Sequence, residues 1–93
     1  MIRGFRGKET EKIWNEQHSR KLPGHIQQKA LYKLQLLNAA SVLSDLQAPP
    51  GNRLEALKGD RKGQHSIRIN NQYRICFLWR GGDAYEVEIV DYH

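Results

Sequence analysis

Three groups of residues in this chain carry side chains able to do chemistry. The first is the run Arg53-Leu54-Glu55-Ala56-Leu57-Lys58-Gly59-Asp60-Arg61-Lys62-Gly63. It sets Arg53, Lys58 and Arg61 on a glycine-punctuated stretch, where a phosphate would meet point charges and free backbone donors. The same composition also suits a solvated turn between strands. The second group is Arg68 and Arg74, each placed by alternation on the polar face of a strand. A guanidinium in the middle of a strand can clamp a phosphate bidentately. It can equally pair across the sheet, in the case of Arg74 with Glu86 or Glu88. The third group is Asp91-Tyr92-His93. Histidine exchanges protons near neutral pH, tyrosine stacks on bases, and aspartate accepts or orients a proton. Chain ends commonly fray, but the apolar strand Val87 to Val90 should anchor this one.

Other chemistries find no support. There is no Walker loop, dinucleotide fingerprint or zincin motif. Cys76 is the single cysteine, so no internal disulfide can form, and alternation leaves it without an adjacent histidine, as an inert strand thiol. His65 falls on the core side of its strand. His18 and His25 flank a helix break, as surface or capping residues. Trp14 and Trp79 read as core. No Cys/His or carboxylate cluster has metal-ligand spacing, so neither metal nor cofactor is expected.

The partner class follows from charge. Fifteen Lys and Arg face ten Asp and Glu, a net charge of +5, with a pI near 9.6. A small basic protein points to polyanions, RNA or DNA first. The excess is uneven. Residues 1–33 carry eight Lys/Arg against three acids, and residues 64–93 carry three against four. The positive field therefore belongs to the N-terminal part. A chain of 93 residues makes one domain spanning 1–93, and its 39% hydrophobic content is enough for a modest core. The longest strictly apolar run is Ile75 to Trp79, far short of a membrane span. The start of the chain has no signal-peptide core, which leads to the expectation of a cytoplasmic protein.

The elements that must hold these residues can be read from periodicity. Ile2 to Phe5 alternates like a short strand. A helix is predicted from about Lys8 to His18, with Ile13 and Trp14 as its buried edge. Leu22-Pro23-Gly24 breaks it. A second helix follows from about His25 to Leu37, with Ile26, Ala30, Leu34 and Leu37 as its apolar stripe. Val42, Leu43 and Leu46 suggest a further turn before the loop Pro49-Pro50-Gly51-Asn52. Three period-two strands come next. Their apolar faces are His65/Ile67/Ile69, Tyr73/Ile75/Phe77/Trp79 and Tyr85/Val87/Ile89. Aligning these faces puts Ile69 opposite Tyr73 and Trp79 opposite Tyr85, so both hairpin loops should have an odd number of residues. Asn70-Asn71-Gln72 supplies the first, and a loop around Gly81-Gly82-Asp83 the second. The class is α+β, with the helices on the apolar face. The other face carries Ser66, Arg68, Arg74, Cys76, Glu86 and Glu88, and should stay open.

Four stretches taken together are familiar. They are Asn52 to Arg61, Ser66-Ile67-Arg68-Ile69, Tyr73-Arg74-Ile75-Cys76-Phe77, and Ile89-Val90-Asp91-Tyr92-His93. This combination resembles the HigB-type toxins of the RelE/ParE toxin–antitoxin superfamily over the whole length of the chain. The resemblance implies two N-terminal helices packed on one face of a mainly antiparallel sheet. It implies a ribosome-dependent endoribonuclease that cuts translated mRNA. It also implies a HigA-like helix-turn-helix antitoxin, whose complex with the toxin represses their promoter, so that DNA is contacted only through that complex. Lys58, Arg74, Asp91, Tyr92 and His93 match the family's functional positions. Some relatives carry His and Pro where this chain has Glu55 and Ala56, which would leave proton transfer to Glu55 or His93. ParE-type relatives share the fold and instead poison a topoisomerase, and a plain RNA-binding module would bind without scission.

Overall fold

The computed structural model describes residues 1–92. Two helices, α1 (Lys8–Trp14) and α2 (Gly24–Ala39), precede four strands. The strands are β1 (Glu55–Ala56), β2 (Gln64–Arg68), β3 (Tyr73–Arg80) and β4 (Asp83–Asp91), in one antiparallel sheet of order β1-β2-β3-β4. The N-terminal residues run parallel to β4, with bridges from Ile2 to Ala84 and from Phe5 to Val87. The alternation of Ile2 to Phe5 thus forms a short fifth edge.

The predicted stripe of α2 is the centre of the core. Ile26, Ala30, Leu34 and Leu37 are buried against Ile67, Ile69, Ile75, Phe77, Val87 and Ile89 from the sheet. Gln27 secures the start of α2: its amide donates to the Ser19 and Leu22 carbonyls at 2.7 and 2.9 Å, and its oxygen accepts from the Ser19 N–H. Thr10 fastens α1 to the sheet, its hydroxyl oxygen accepting the Ile89 N–H at 2.9 Å.

Helix α1 ends four residues before the expected His18. The Gln17 N–H bonds the Lys12 carbonyl and the Glu16 N–H bonds that of Ile13, with Glu16 left-handed at φ 59°. This is the hydrogen-bond pattern of a Schellman stop, and it satisfies the last carbonyls at a residue that composition alone reads as helical. Glutamate is strained there by about 1–2 kcal/mol, whereas glycine costs about 0.5–1 kcal/mol of chain entropy. Glu16→Gly should therefore stabilise the protein by about 0.5–1 kcal/mol, a rise in melting temperature of roughly 2–8 °C. A lower melting temperature would show that Glu16 makes a compensating contact.

The first hairpin has the expected register: Ile67 pairs with Ile75, and Ile69 donates its N–H to Tyr73 across the three-residue loop Asn70–Gln72. The second does not. Arg80 pairs with Asp83, Trp79 with Ala84 and Leu78 with Tyr85. The loop is the two-residue turn Gly81-Gly82, both at positive φ, the geometry two-residue hairpins favour. Ala84 is buried on the core face, and Tyr85 lies on the other face beneath Arg80, 5.4 Å from its guanidinium carbon. A bulge restores the pattern: the register shifts between Cys76 and Leu78, where Glu86 is the extra residue at φ 50°. Val87 and Ile89 then turn inward as expected.

The polar face is not open as expected. Ser66, Arg74 and Cys76 are buried. The segment after Asn52, read from its glycines as a phosphate-binding stretch or a solvated turn, forms β1 along the edge of β2 and then a tight turn over Gly59–Arg61. From that turn Arg61 reaches Glu88 on β4 at 3.3 Å, spanning the sheet over Cys76. Burial pushes the Cys76 thiol above its usual value, which keeps it protonated and inert.

Candidate functional site

Direct partners across a sheet share a face, so the register assembles the site. Glu55, Ser66, Cys76 and Glu88 form one row across β1 to β4. The adjoining row holds Arg68, Arg74 and Val90. Arg74 is the best-held cation of this face. Its Nε donates to the Ser66 hydroxyl at 2.7 Å and one Nη donates to the Arg53 carbonyl at 2.6 Å. Among the described ion pairs none involves Arg74, and Glu88, one of its candidate partners, pairs with Arg61 instead. Arg53 can turn its carbonyl toward Arg74 because it is left-handed, at φ 44°.

Tyr92 completes this centre. Its N–H donates to the Gln72 carbonyl at 2.6 Å, and its ring lies 5.7 Å from the Arg74 guanidinium carbon. The ring is 43% exposed, so one side stays available. The end of β4 is therefore pinned, as Val87 to Val90 suggested. Asp91 pairs with Tyr73, which puts it on the core face of the sheet rather than beside Tyr92. Its carboxylate accepts from Gln72 at 3.0 Å. Glu55, exposed and opposite Ser66, stands on the same face as Arg74. His93 lies outside the described residues.

The remaining candidates are dispersed. Lys58 is exposed at the start of the Gly59–Arg61 turn. It follows Leu57, whose N–H bonds Gln64 at the far end of β2. Gln64 is two residues from Ser66, which holds the Arg74 guanidinium, about 7 Å along a strand, so Lys58 stands on the flank of the Arg74 centre. Arg61 is committed to Glu88 and to Gln64 at 3.3 and 3.1 Å. Arg53 and Arg68 line a cleft with Lys29 and Lys33. Among the described residues no group of three or more His, Cys, Asp or Glu could hold a metal ion, and no helix is long and apolar enough to cross a membrane.

Sequence reasoning missed two residues of this region. Ser66 orients Arg74, but a serine in a strand gives no signal until its partner is known. Lys33 is 4% exposed, held by the side-chain oxygen of Asn52. Its signal was available, since it falls within the apolar stripe of α2, three residues after Ala30.

Comparison with known proteins bears on the family and the fold. The family described as the RelE-like toxin of type II toxin-antitoxin system HigB matches residues 3–93. "Toxin HigB-1" of Vibrio cholerae is 43% identical over 85 residues, 90% of each chain. "Endoribonuclease HigB" of Proteus vulgaris is 30% identical over 93 residues and the full length of both. The toxin–antitoxin complex of YoeB and YefM from Staphylococcus aureus contains a chain of the same fold. That match has a TM-score of 0.57 at 17% identity and covers 100% of this chain and 98% of that one.

Proposed function

The chain belongs to the RelE-like HigB toxins of type II toxin–antitoxin systems, and we propose that it acts as an endoribonuclease on mRNA in the translating ribosome. The observation that carries this reading is the centre built on Arg74. A guanidinium fixed by Ser66 and the Arg53 carbonyl, with an exposed aromatic ring against it, suits a phosphodiester with an adjoining base.

RNA brings its own nucleophile. The 2′-oxygen loses its proton to a base and attacks the adjacent phosphorus. The phosphorus–5′-oxygen bond breaks, and an acid protonates the leaving oxygen. The products are a 2′,3′-cyclic phosphate and a 5′-hydroxyl. Arg74 stabilises the charge that develops on the phosphorane, and Lys58 adds to it from the flank. Glu55 is the base this geometry favours, because it shares the face of Arg74 and Asp91 does not. His93 follows Tyr92 and takes the role of acid. Tyr92 stacks on a nucleotide, and Asp91 steadies the loop through Gln72. The ribosome supplies the positioning that so few acid–base groups leave undone.

This activity places the protein in the cytoplasm. Its inhibitory partner is a HigA-like helix-turn-helix antitoxin, and promoter DNA is reached only through their complex. The chemistry is tested on purified translating ribosomes. Cleavage should persist in EDTA when polyamines maintain the ribosomes, and the fragments should carry 2′,3′-cyclic phosphate and 5′-hydroxyl ends. Fragments with 5′-phosphate ends would overturn the 2′-hydroxyl mechanism. Growth arrest without any scission would favour a toxin that acts on a protein target.

A further inference from the structure

We propose that the cleft between α2 and the Arg68–Asn71 end of the β2–β3 hairpin is a second phosphate site. It holds an RNA phosphodiester flanking the Arg74 centre, with the neighbouring base stacked on Tyr32. The cleft encloses about 460 Å³. Four cations line it, Lys29, Lys33, Arg53 and Arg68, and no carboxylate does. None of the four takes part in a described ion pair.

The burial of Lys33 in the lining of this cleft is the strongest indication of an anion site. A buried ammonium normally has a carboxylate partner, yet the partner here is the neutral side chain of Asn52. Asn52 is itself held by the Leu46 and Ala48 carbonyls, each at 3.2 Å. Burial first, and then the charge of Lys29, hold the Lys33 ammonium below its ordinary value. An anion in the cleft would stabilise the charged ammonium against both effects. Arg68 is oriented by the side-chain oxygen of Asn71 at the rim, which leaves other guanidinium donors available.

Tyr32 stands beside the cleft, next to Lys33, rather than among the residues that line it. It is 50% exposed, and its ring centre is 5.8 Å from the Lys33 ammonium. Cations interleaved with an exposed aromatic ring are what single-stranded nucleic acid binds. The cleft also adjoins the proposed active centre. Arg53 lines it while its carbonyl accepts from Arg74, and Arg68 lines it while pairing with Arg74 across the sheet.

The test measures affinity against salt concentration for a 2′-O-methyl RNA oligonucleotide, which cannot be cut, and for purified ribosomes. In the Lys29→Ala/Arg68→Ala double variant the slope of log affinity on log salt should become shallower by about 1.4, at about 0.7 per lost single-strand contact. Tyr32→Ala should weaken binding by roughly 5- to 150-fold with the slope unchanged. A change seen with the oligonucleotide assigns the phosphate to the strand being cut. A change seen only with ribosomes assigns it to ribosomal RNA. An unchanged slope on both would overturn the site. Melting temperature checks that the double variant folds, and otherwise Lys29→Gln alone, at an exposed position, should change the slope by about 0.7. The inference rests on the ribonuclease reading only for the identity of the polyanion. Scission by the unmodified protein tests that reading and the salt slope tests the cleft, so either can fail alone.

Discussion

Arg74→Ala should abolish growth arrest and lower the cleavage rate on ribosomes by roughly 10²–10³, the loss typical of removing a donor that stabilises transition-state charge. On sequence alone this variant would be expected to keep its stability, because the residue lies on a polar face. The structure changes that expectation. Arg74 is 9% exposed and bonds both Ser66 and the Arg53 carbonyl, so its removal leaves partners unsatisfied at a cost of roughly 1–3 kcal/mol. The two effects must be separated. Rates should be measured well below the melting temperature of each variant and compared with Arg74→Lys. Lysine keeps the charge but cannot reproduce the fork of bonds. A folded Arg74→Lys protein should therefore cut faster than Arg74→Ala and more slowly than the parent. Should cleavage return to the parent rate once Arg74→Ala is folded at low temperature, the residue is a structural clasp and the phosphate is held elsewhere.

Deleting Tyr92 and His93 should be the second large effect. Tyr92 is exposed and outside the core, and its described ties are one backbone hydrogen bond to Gln72 and the ring contact with Arg74. The truncated protein should lose less than about 1 kcal/mol of stability. Activity should nevertheless fall by roughly 10²–10⁴, the contribution of a general acid, beyond the loss of the aromatic ring at the phosphate. Toxicity and melting temperature of the truncated chain are the two quantities to compare. Full toxicity from a folded truncated protein would place the acid elsewhere, and a mode of action like that of the ParE-type toxins, which needs no terminal histidine, would gain support. Where the truncated chain loses toxicity, Tyr92→Ala and His93→Gln made singly divide the effect between stacking and proton transfer.

What the sequence determined by itself was the periodic part. Ile26, Ala30, Leu34 and Leu37 face the core because helical spacing admits one apolar stripe. Ile67 meets Ile75 because only a three-residue loop at Asn70–Gln72 aligns the two apolar faces. The same alternation correctly put Arg74 on the polar side of β3, and the apolar end of β4 correctly anchored Tyr92. Tertiary structure decided what period alone cannot. A single bulged residue, Glu86, reverses the alternation within β4. The two-residue turn Gly81-Gly82 before it puts Ala84 rather than Tyr85 in the core. Burial of the polar face depends on partners distant in the chain: Arg53 with Arg74, and Arg61 with Glu88. Neither contact leaves a trace in the residues next to it. Lys33 shows the same limit from the other side. Its place in the stripe was legible, but whether a lysine there is displaced or buried turns on Asn52, nineteen residues later, and on the basic cleft that the fold closes around it. Side-chain period sets which way each residue of an element faces. Only the docking of separate segments decides what covers that face, and therefore which charges are fixed, which are free and where a phosphate can sit.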